Sequence, residues 1–365
     1  MKKYYSFIGT FFLLTCFSLL VVNSSFAESY YKDKIITVIV PHSAGGGTDI
    51  FARIITKHLP KHIPGKPTMI VRNMTGAMTL VGGNYVYNIA KKDGLTIMAG
   101  SGVAAMQSFL GTKGTKFSFE NMPICLAIPG GTMFFANSKL FSKSEDFVKV
   151  SNQLVFGMPP LPWPLTVEFL LVQKLLNFET KKNVLAYDSS ADVRRAFLSG
   201  EVDITGESSV GYGKSIFPLV KKGKAVPLWQ SGIYDPKGNM IREGGVVSDV
   251  PTVEEFCTKN MKKSPQGPAW DALAAYVAYD RTLGKTILLP PDTEKYASII
   301  RSAIEQMVMK DEKFKKDAVK IFHGAPIFTG QDAVALLNIA SKKAQPIRKW
   351  LKSWLADEYG VKFEN

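Results

Sequence analysis

Two polar loops, each between a predicted strand and a predicted helix, contain the residues best suited to bind an anion. The first runs from Pro41 to Asp49 and contains three consecutive glycines, and the second runs from Ala186 to Asp192. A helix N-terminus offers unpaired backbone N–H groups and a partial positive charge, which suit a carboxylate or a phosphate. Facing each other, the two loops could hold both ends of a dicarboxylate. The alternative is a pair of ordinary capped turns, and the residues alone leave both interpretations open.

Sequence patterns for nucleotide binding and catalysis are incomplete. No lysine of a phosphate-binding loop follows Gly45-Gly46-Gly47, and Ile50 stands where a dinucleotide fingerprint needs its third glycine. The segment Gly206–Gly211 is one residue too long for a nucleophile elbow. With four histidines in the chain, a Ser-His-Asp triad has few candidates. We therefore expect a protein that is not an enzyme and needs no cofactor; a secreted hydrolase is the less favoured alternative.

Histidine spacing and charge argue against a metal site and a nucleic-acid surface. His58 and His62 have the spacing of two metal ligands on a helix, but Pro60 lies between them and no Glu adjoins His58. We expect both to be solvated surface residues and expect no metal. The formal net charge of +14 favours anions. Because the lysines are spread over the whole chain, we expect no nucleic-acid partner.

Residues 1–27 have the pattern of a cleavable signal peptide. Lys2 and Lys3 precede an apolar stretch from Phe7 to Val22, and Ser25-Phe26-Ala27 places small residues at a cleavage site. A retained membrane anchor is the alternative. The pattern predicts a periplasmic protein whose mature chain keeps only Cys125 and Cys257. We expect both cysteines to be buried and unpaired, although a disulfide between them stays open.

The mature chain alternates strand and helix patterns twice, which predicts an α/β fold with mostly parallel sheets. The first unit comprises three strands and two helices, namely Ile35–Val40, a helix from Thr48, Met69–Val71, a helix to about Ala90 and Leu95–Ala99. The second unit comprises four strands and two helices, namely Leu154–Gly157, Thr166–Leu176, Val184–Tyr187, a helix closing at Gly200, Val202–Thr205 and Ala225–Gln230. Residues 231–266 have the composition of loops, and the remainder, from about residue 290, is predicted to be helical.

Several segments resemble the substrate-binding proteins of tripartite tricarboxylate transporters, the Bug family. Val40–Arg53 is similar to that family's strand, Pro-aromatic-x-x-Gly-Gly loop and Asp/Ala-Arg helix, with His42 replacing the aromatic. The other similar segments follow in order, namely Asn73–Ala77, Lys92–Thr96, Tyr187–Ala191, Leu198–Asp203 and Asp249–Glu255. Thr79, Ala186 and Ser189 replace residues typical of the family. The chain is identified on these segments as a longer, divergent member.

The resemblance implies a two-lobe fold like that of periplasmic binding proteins, with a ligand cleft between lobes that close by a hinge motion. Lobe 1 is expected at 28–135 and 229–365, and lobe 2 at 136–228. It also implies the ligand-binding residues, which are Ser43, Ala44, Gly45, Gly46, Gly47, Thr48, Asp49, Thr75, Gly76, Ala77 and Ser101 in lobe 1, and Gly157, Tyr187, Ser189, Ser190 and Glu207 in lobe 2.

By the same resemblance, the protein is expected to be a monomer that captures a small organic anion, a di- or tricarboxylate. It would deliver this ligand to the large and small membrane subunits of a tripartite transporter. The alternative is a protein of the same fold that signals its bound state to a sensor kinase.

Overall fold

The computed structural model describes residues 30–363, so the predicted signal peptide lies outside the described residues. The strands of this part are β1 Ile35–Val40, β2 Thr68–Asn73, β3 Thr96–Ser101, β4 Ile124–Ile128, β5 Thr132–Asn137, β6 Val155–Met158, β7 Lys182–Leu185, β8 Ile204–Ser208, β9 Ala225–Gln230, β10 Ile233–Tyr234, β11 Met240–Ile241, β12 Lys285–Leu288 and β13 Phe328–Thr329.

Helices cover both faces of the sheets. In chain order they are α1 Gly47–His58, α2 Leu80–Asn88, α3 Gly102–Leu110, α4 Phe147–Val150, α5 Pro164–Leu176, α6 Ser190–Ser199, α7 Ser209–Ser215, α8 Phe217–Lys221, α9 Val253–Met261, α10 Pro268–Tyr276, α11 Glu294–Lys310, α12 Glu312–Phe322, α13 Gly330–Ala344 and α14 Arg348–Tyr359. A π-helical turn, Val277–Thr282, continues α10. Within residues 30–363, no helix combines the length and apolarity needed to span a bilayer.

The first sheet has six strands in the order β13-β4-β12-β3-β1-β2. Strand β1 pairs in parallel with β2 and β3, as its β-branched run predicts for a strand covered on both faces. Strand β12 is antiparallel to β3 and β4, and β13 is antiparallel to β4. The expectation of a mostly parallel sheet is therefore correct for the first three strands and wrong for the strands added by the C-terminal part of the chain.

The second sheet has five strands in the order β7-β6-β8-β5-β9. Strand β6 is parallel to β7 and β8, whereas β5 is antiparallel to β8 and β9. The predicted α/β class with two sheets flanked by helices is confirmed. Strand β5 lies wholly in the second sheet, although the boundary between the lobes was predicted within it, between residues 135 and 136. The exact boundaries of the lobes stay a prediction.

In the C-terminal half, the loop assignment of one segment is wrong, and strands β12 and β13 were not predicted. Residues 231–266, expected to be loops, contain the β10–β11 hairpin and helix α9, which begins with a capping box of Thr252 and Glu255. Strand β12 lies just ahead of the predicted all-helical end and was not predicted. Strand β12 pairs with β3 on one side and with β4 on the other. Pairing with these distant strands, rather than a long β-branched run, therefore makes this segment a strand.

A hydrophobic cluster joins the two sheets behind their facing ends. Helix α10 packs against α5 of the second unit and against α13 of the C-terminal part. The stacked Phe156 and Phe169, together with Trp229, belong to the same cluster as Phe109 and Tyr279. This shared packing fixes the two sheets relative to each other, so that strand ends from both sheets face one cavity.

Candidate functional site

A cavity of about 700 Å³ lies where the ends of the two sheets meet. Its size is within the usual range for small-molecule sites. The first sheet and its helices supply His42, Gly47, Thr48 and Ser101, and the second supplies Ser190, Glu207, Ser208 and Ser209. The segments that connect the sheets supply the floor, which includes Gly130, Gly131, Glu243, Asp280, Arg281, Gly284 and Lys285.

Five of the residues predicted for the site line this cavity, and they come from both units. They are Gly47, Thr48, Ser101, Ser190 and Glu207. Gly47 and Thr48 form the first turn of α1, and Ser101 is the N-cap of α3, its Oγ accepting the Ala104 N–H at 3.2 Å. Both helices therefore begin at the cavity, where their N-terminal partial positive charge favours an anion.

The remainder of the predicted first loop lies beside the cavity rather than in its wall. Ser43, Ala44, Gly45 and Gly46 form an exposed turn, whereas Asp49 is buried beneath it. The Asp49 carboxylate accepts hydrogen bonds from Gly45 N at 2.9 Å, Arg53 Nε at 2.8 Å and Asn73 Nδ2 at 2.9 Å. The bond from Arg53 contributes most to lowering the pKa of Asp49 to about 2. Asp49 thus fastens the loop to α1 and β2.

The other predicted site residues also lie outside the cavity wall. Thr75, Gly76 and Ala77 are exposed in the turn before α2. Gly157 is packed against Val202 and Tyr187, whose hydroxyl donates to Glu201 at 2.7 Å. Ser189 caps α6 by accepting the Asp192 N–H at 3.3 Å. Their role in ligand binding stays a prediction, because none of them lines the cavity of the structure.

His42 and Ser101 form a polar pair on the first-sheet side. His42 Nε2 lies 2.8 Å from Ser101 Oγ. Burial, reinforced by the charge of Lys285, lowers the pKa of His42 to about 4. The imidazole is therefore neutral at pH 7, and its Nε2 can accept the Ser101 hydroxyl proton while Ser101 Oγ accepts the Ala104 N–H.

A buried group of charges, missed by sequence reasoning, forms the floor. Arg281, only 5% exposed, lies with its Nη1 2.7 Å from Asp280 Oδ2 and its Nη2 3.4 Å from Glu168 Oε2. Burial raises the pKa of both carboxyls. Arg281 Nε is buried with no hydrogen-bond partner in the structure. The guanidinium thus links helix α5 of the second unit to the turn after α10.

Lys285 and Glu243 complete the floor. Lys285 begins β12 and is the cross-strand partner of Ser101, and burial lowers the pKa of its ammonium. Glu243 accepts hydrogen bonds from the Ser209 hydroxyl and the Gly131 N–H, and burial raises the pKa of its carboxyl. One signal could have pointed to this region, since Asp280, Arg281 and Lys285 are the charged residues in a mostly apolar run from Ala272 to Pro290.

Glycines allow the floor segments to touch. A Cβ at Gly102 would lie 2.2 Å from the Asp280 carbonyl oxygen, and one at Gly284 would lie 2.6 Å from Gly130 N. These close approaches bring the beginnings of α3, β5 and β12 together. In the part of the chain that the structure describes, no group of three His, Cys, Asp or Glu residues is arranged to hold a metal ion.

Solved structures of solute-binding proteins superpose on most of the chain. A TctC solute-binding protein from Polaromonas, solved without ligand, gives a TM-score of 0.66 at 16% identity over 88% of this chain and 99% of that one. This chain has the two-lobe fold of these binding proteins. Both the fold predicted from the sequence and the resemblance of the chain to structures of the TctC and Bug type are thereby confirmed.

Two further structural neighbours contain ligands. MatC from Rhodopseudomonas palustris, with bound malate, gives a TM-score of 0.57 at 18% identity over 87% of this chain and 99% of that one. A second R. palustris protein, with adipate, gives 0.57 at 18% identity over 90% and 98% of the two chains. No protein-family model and no curated protein matches the chain.

Proposed function

We propose that the protein is a periplasmic solute-binding protein that captures a small organic anion carrying a carboxylate. The observation that supports this most directly is the combination of Lys285 with the N-termini of α1 and α3 at one cavity. An ammonium and two helix N-termini are complementary to a carboxylate. Because malate and adipate occupy structural neighbours, diacids are the first class of ligand to test.

The proposed role is transport rather than catalysis. The ligand would contact residues of both units at the cavity, Ser101 on one side and Ser190 on the other, and thereby favour a closed arrangement of the lobes. The closed protein, acting as a monomer, would deliver its ligand to the large and small membrane subunits of a tripartite transporter. Ligand-dependent uptake by membranes carrying both subunits, with and without this protein, tests that step.

Thermal unfolding of the mature protein with a panel of organic acids tests capture. A ligand at 100 times its dissociation constant adds about 2.7 kcal/mol of stability. We expect a clear rise in Tm with at least one carboxylate and none with the matched amide. Lys285→Met should weaken that binding at least tenfold, whereas Lys113→Met, at an exposed lysine, should not alter it. Equal binding by both variants would contradict the proposed role of Lys285.

A further inference from the structure

Lys285 is a cation without an ion-pair partner at the floor of the cavity. The ion pairs among residues 30–363 leave its ammonium out. The charge of Asp280 favours the ammonium, but the Asp280 carboxylate forms its ion pair with Arg281, at 2.7 Å. Burial disfavours the charged ammonium. A ligand carboxylate would supply the missing partner.

Glu243 is the corresponding anion in the same cavity. Its hydrogen bonds come from the Ser209 hydroxyl and the Gly131 amide, which are neutral groups, and the ion pairs of the described chain do not include it. The two other carboxylates of the wall differ, because Glu207 pairs with Arg194 and Asp280 pairs with Arg281. The charge of Arg281 also acts on Glu243, but its guanidinium is paired with Asp280 and Glu168, so Glu243 is the wall carboxylate without an ion-pair partner among the described residues.

The surface around these two charges is largely apolar. Val103 and Ile128 line the cavity on the first-sheet side, and Trp163 and Leu165 line it on the second-sheet side. Such walls favour the hydrocarbon body of a ligand over further charged groups. Lys320, the other lysine of the wall, is exposed at the rim, so a second ligand carboxylate inside the cavity would meet these apolar side chains or Glu243. A neighbouring like charge is unfavourable.

We infer that the ligand is a small zwitterion, an amino acid or amino-acid-like compound, whose carboxylate pairs with Lys285 and whose ammonium pairs with Glu243. This inference rests on the proposed function and narrows its ligand class. A zwitterion partners both charges, whereas a diacid opposes Glu243 and a simple monoacid leaves Glu243 desolvated without an ion-pair partner. The apolar body of the ligand lies against Trp163 and Leu165.

Calorimetric titration of the mature protein with matched acids tests this inference. Each series keeps one skeleton and one carboxylate and replaces the amine by hydrogen or by a second carboxylate. The series are leucine, 4-methylpentanoate and isobutylmalonate; phenylalanine, 3-phenylpropanoate and benzylmalonate; and 5-aminopentanoate, pentanoate and adipate. We expect at least one zwitterion to bind at least tenfold more tightly than both of its partners.

The outcomes separate the inference from the function on which it rests. If, in every series, the monoacid or the diacid binds as tightly as the zwitterion, the inference is overturned and capture of a carboxylate stands. If no acid in these series or among common di- and tricarboxylates binds, the proposed function fails, and the inference fails with it.

A variant assigns the ammonium contact to Glu243. Glu243→Gln keeps acceptors for Ser209 and Gly131 but removes the charge, and we expect at least tenfold weaker binding of the zwitterion with unchanged binding of the monoacid. Glu179→Gln, at an exposed carboxylate, is the matched control and should change neither affinity. Equal losses for zwitterion and monoacid would assign Glu243 a structural role and overturn the inference. Should E243Q fail to fold, the matched series on the unaltered protein still decides it.

Discussion

His58 Nδ1 lies 3.2 Å from Asp311 Oδ2, and the same imidazole places Nε2 2.8 Å from Asp317 Oδ2. His58 is 2% exposed, so the expectation that it would be a solvated surface histidine is wrong. It ends helix α1, whereas Asp311 caps helix α12 by accepting the N–H groups of Lys313 and Phe314. The buried imidazole therefore ties together two helices whose other ends, Gly47 and Phe322, line the cavity.

Replacing Asp311 should loosen this junction. Asp311→Asn removes a buried charge that partners His58 and Lys61, and weakens the cap of α12. We expect a loss of about 1–3 kcal/mol in the free energy of unfolding, measured with urea. Asp317→Asn removes the more exposed partner of His58 and should cost clearly less. Equal losses for the two variants would contradict a central role for Asp311.

Asp49 should make part of the stability depend on pH in acid. Hydrogen bonds, that of Arg53 above all, lower its pKa from 3.8 to about 2 in the folded protein. A folded-state pKa below the unfolded value gives a contribution that is present above about pH 3.8 and is lost as the pH falls through about 2. We expect Asp49→Asn to lower the free energy of unfolding by about 1–2 kcal/mol at pH 7. Between pH 4 and 2, the free energy of unfolding of this variant should change less with pH than that of the unaltered protein.

Gly102 should not tolerate a side chain. A Cβ there would lie 2.2 Å from the backbone oxygen of Asp280, so Gly102→Ala must displace the floor of the cavity. We expect destabilisation of about 1–3 kcal/mol, together with at least tenfold weaker ligand binding. Gly47→Ala is the control for stability, because no atom lies within 4 Å of its Cβ position. Equal stability of the G102A and G47A proteins would contradict the close approach of residue 102 to the Asp280 backbone.

The two cysteines of the mature chain should be unreactive until the protein unfolds. Cys125 and Cys257 are buried free thiols, as the sequence leads one to expect, and burial raises the pKa of each to about 12. Thiolates react with Ellman's reagent and buried thiols do not. We expect no fast reaction in buffer and two thiols titrated in guanidinium without reductant. Fewer than two would reveal a disulfide.

Local patterns were sufficient for the first unit of the fold. The β-branched run at Ile35–Val40 predicts a strand with the bounds that β1 has, because burial on both faces requires a continuous apolar run. The helix predicted from Thr48 likewise begins at the site, one residue earlier at Gly47. These features depend on residues close together in the chain.

The missed features depend on partners that are distant in the chain. His58 pairs with residues more than 250 positions away, so nothing beside it in the sequence signals burial. Lys285 reaches the cavity only because β12 inserts between β3 and β4. Glu243 reaches the cavity from the segment that follows β11. No local periodicity encodes such contacts, whereas charges within an apolar run do mark the segment that contains Arg281.

The glycine contacts at the floor also constrain how ligand specificity can change during evolution. Gly102 and Gly284 leave no room for larger side chains, since a Cβ at either position would lie within 2.6 Å of the backbone of another segment. Ile50 and Lys320, by contrast, line the cavity yet are exposed at its rim. Substitutions at the rim can alter which ligand body is accepted without disturbing the place where the two sheets join. Related proteins with new ligands should therefore differ first at the rim and keep a floor of the same shape.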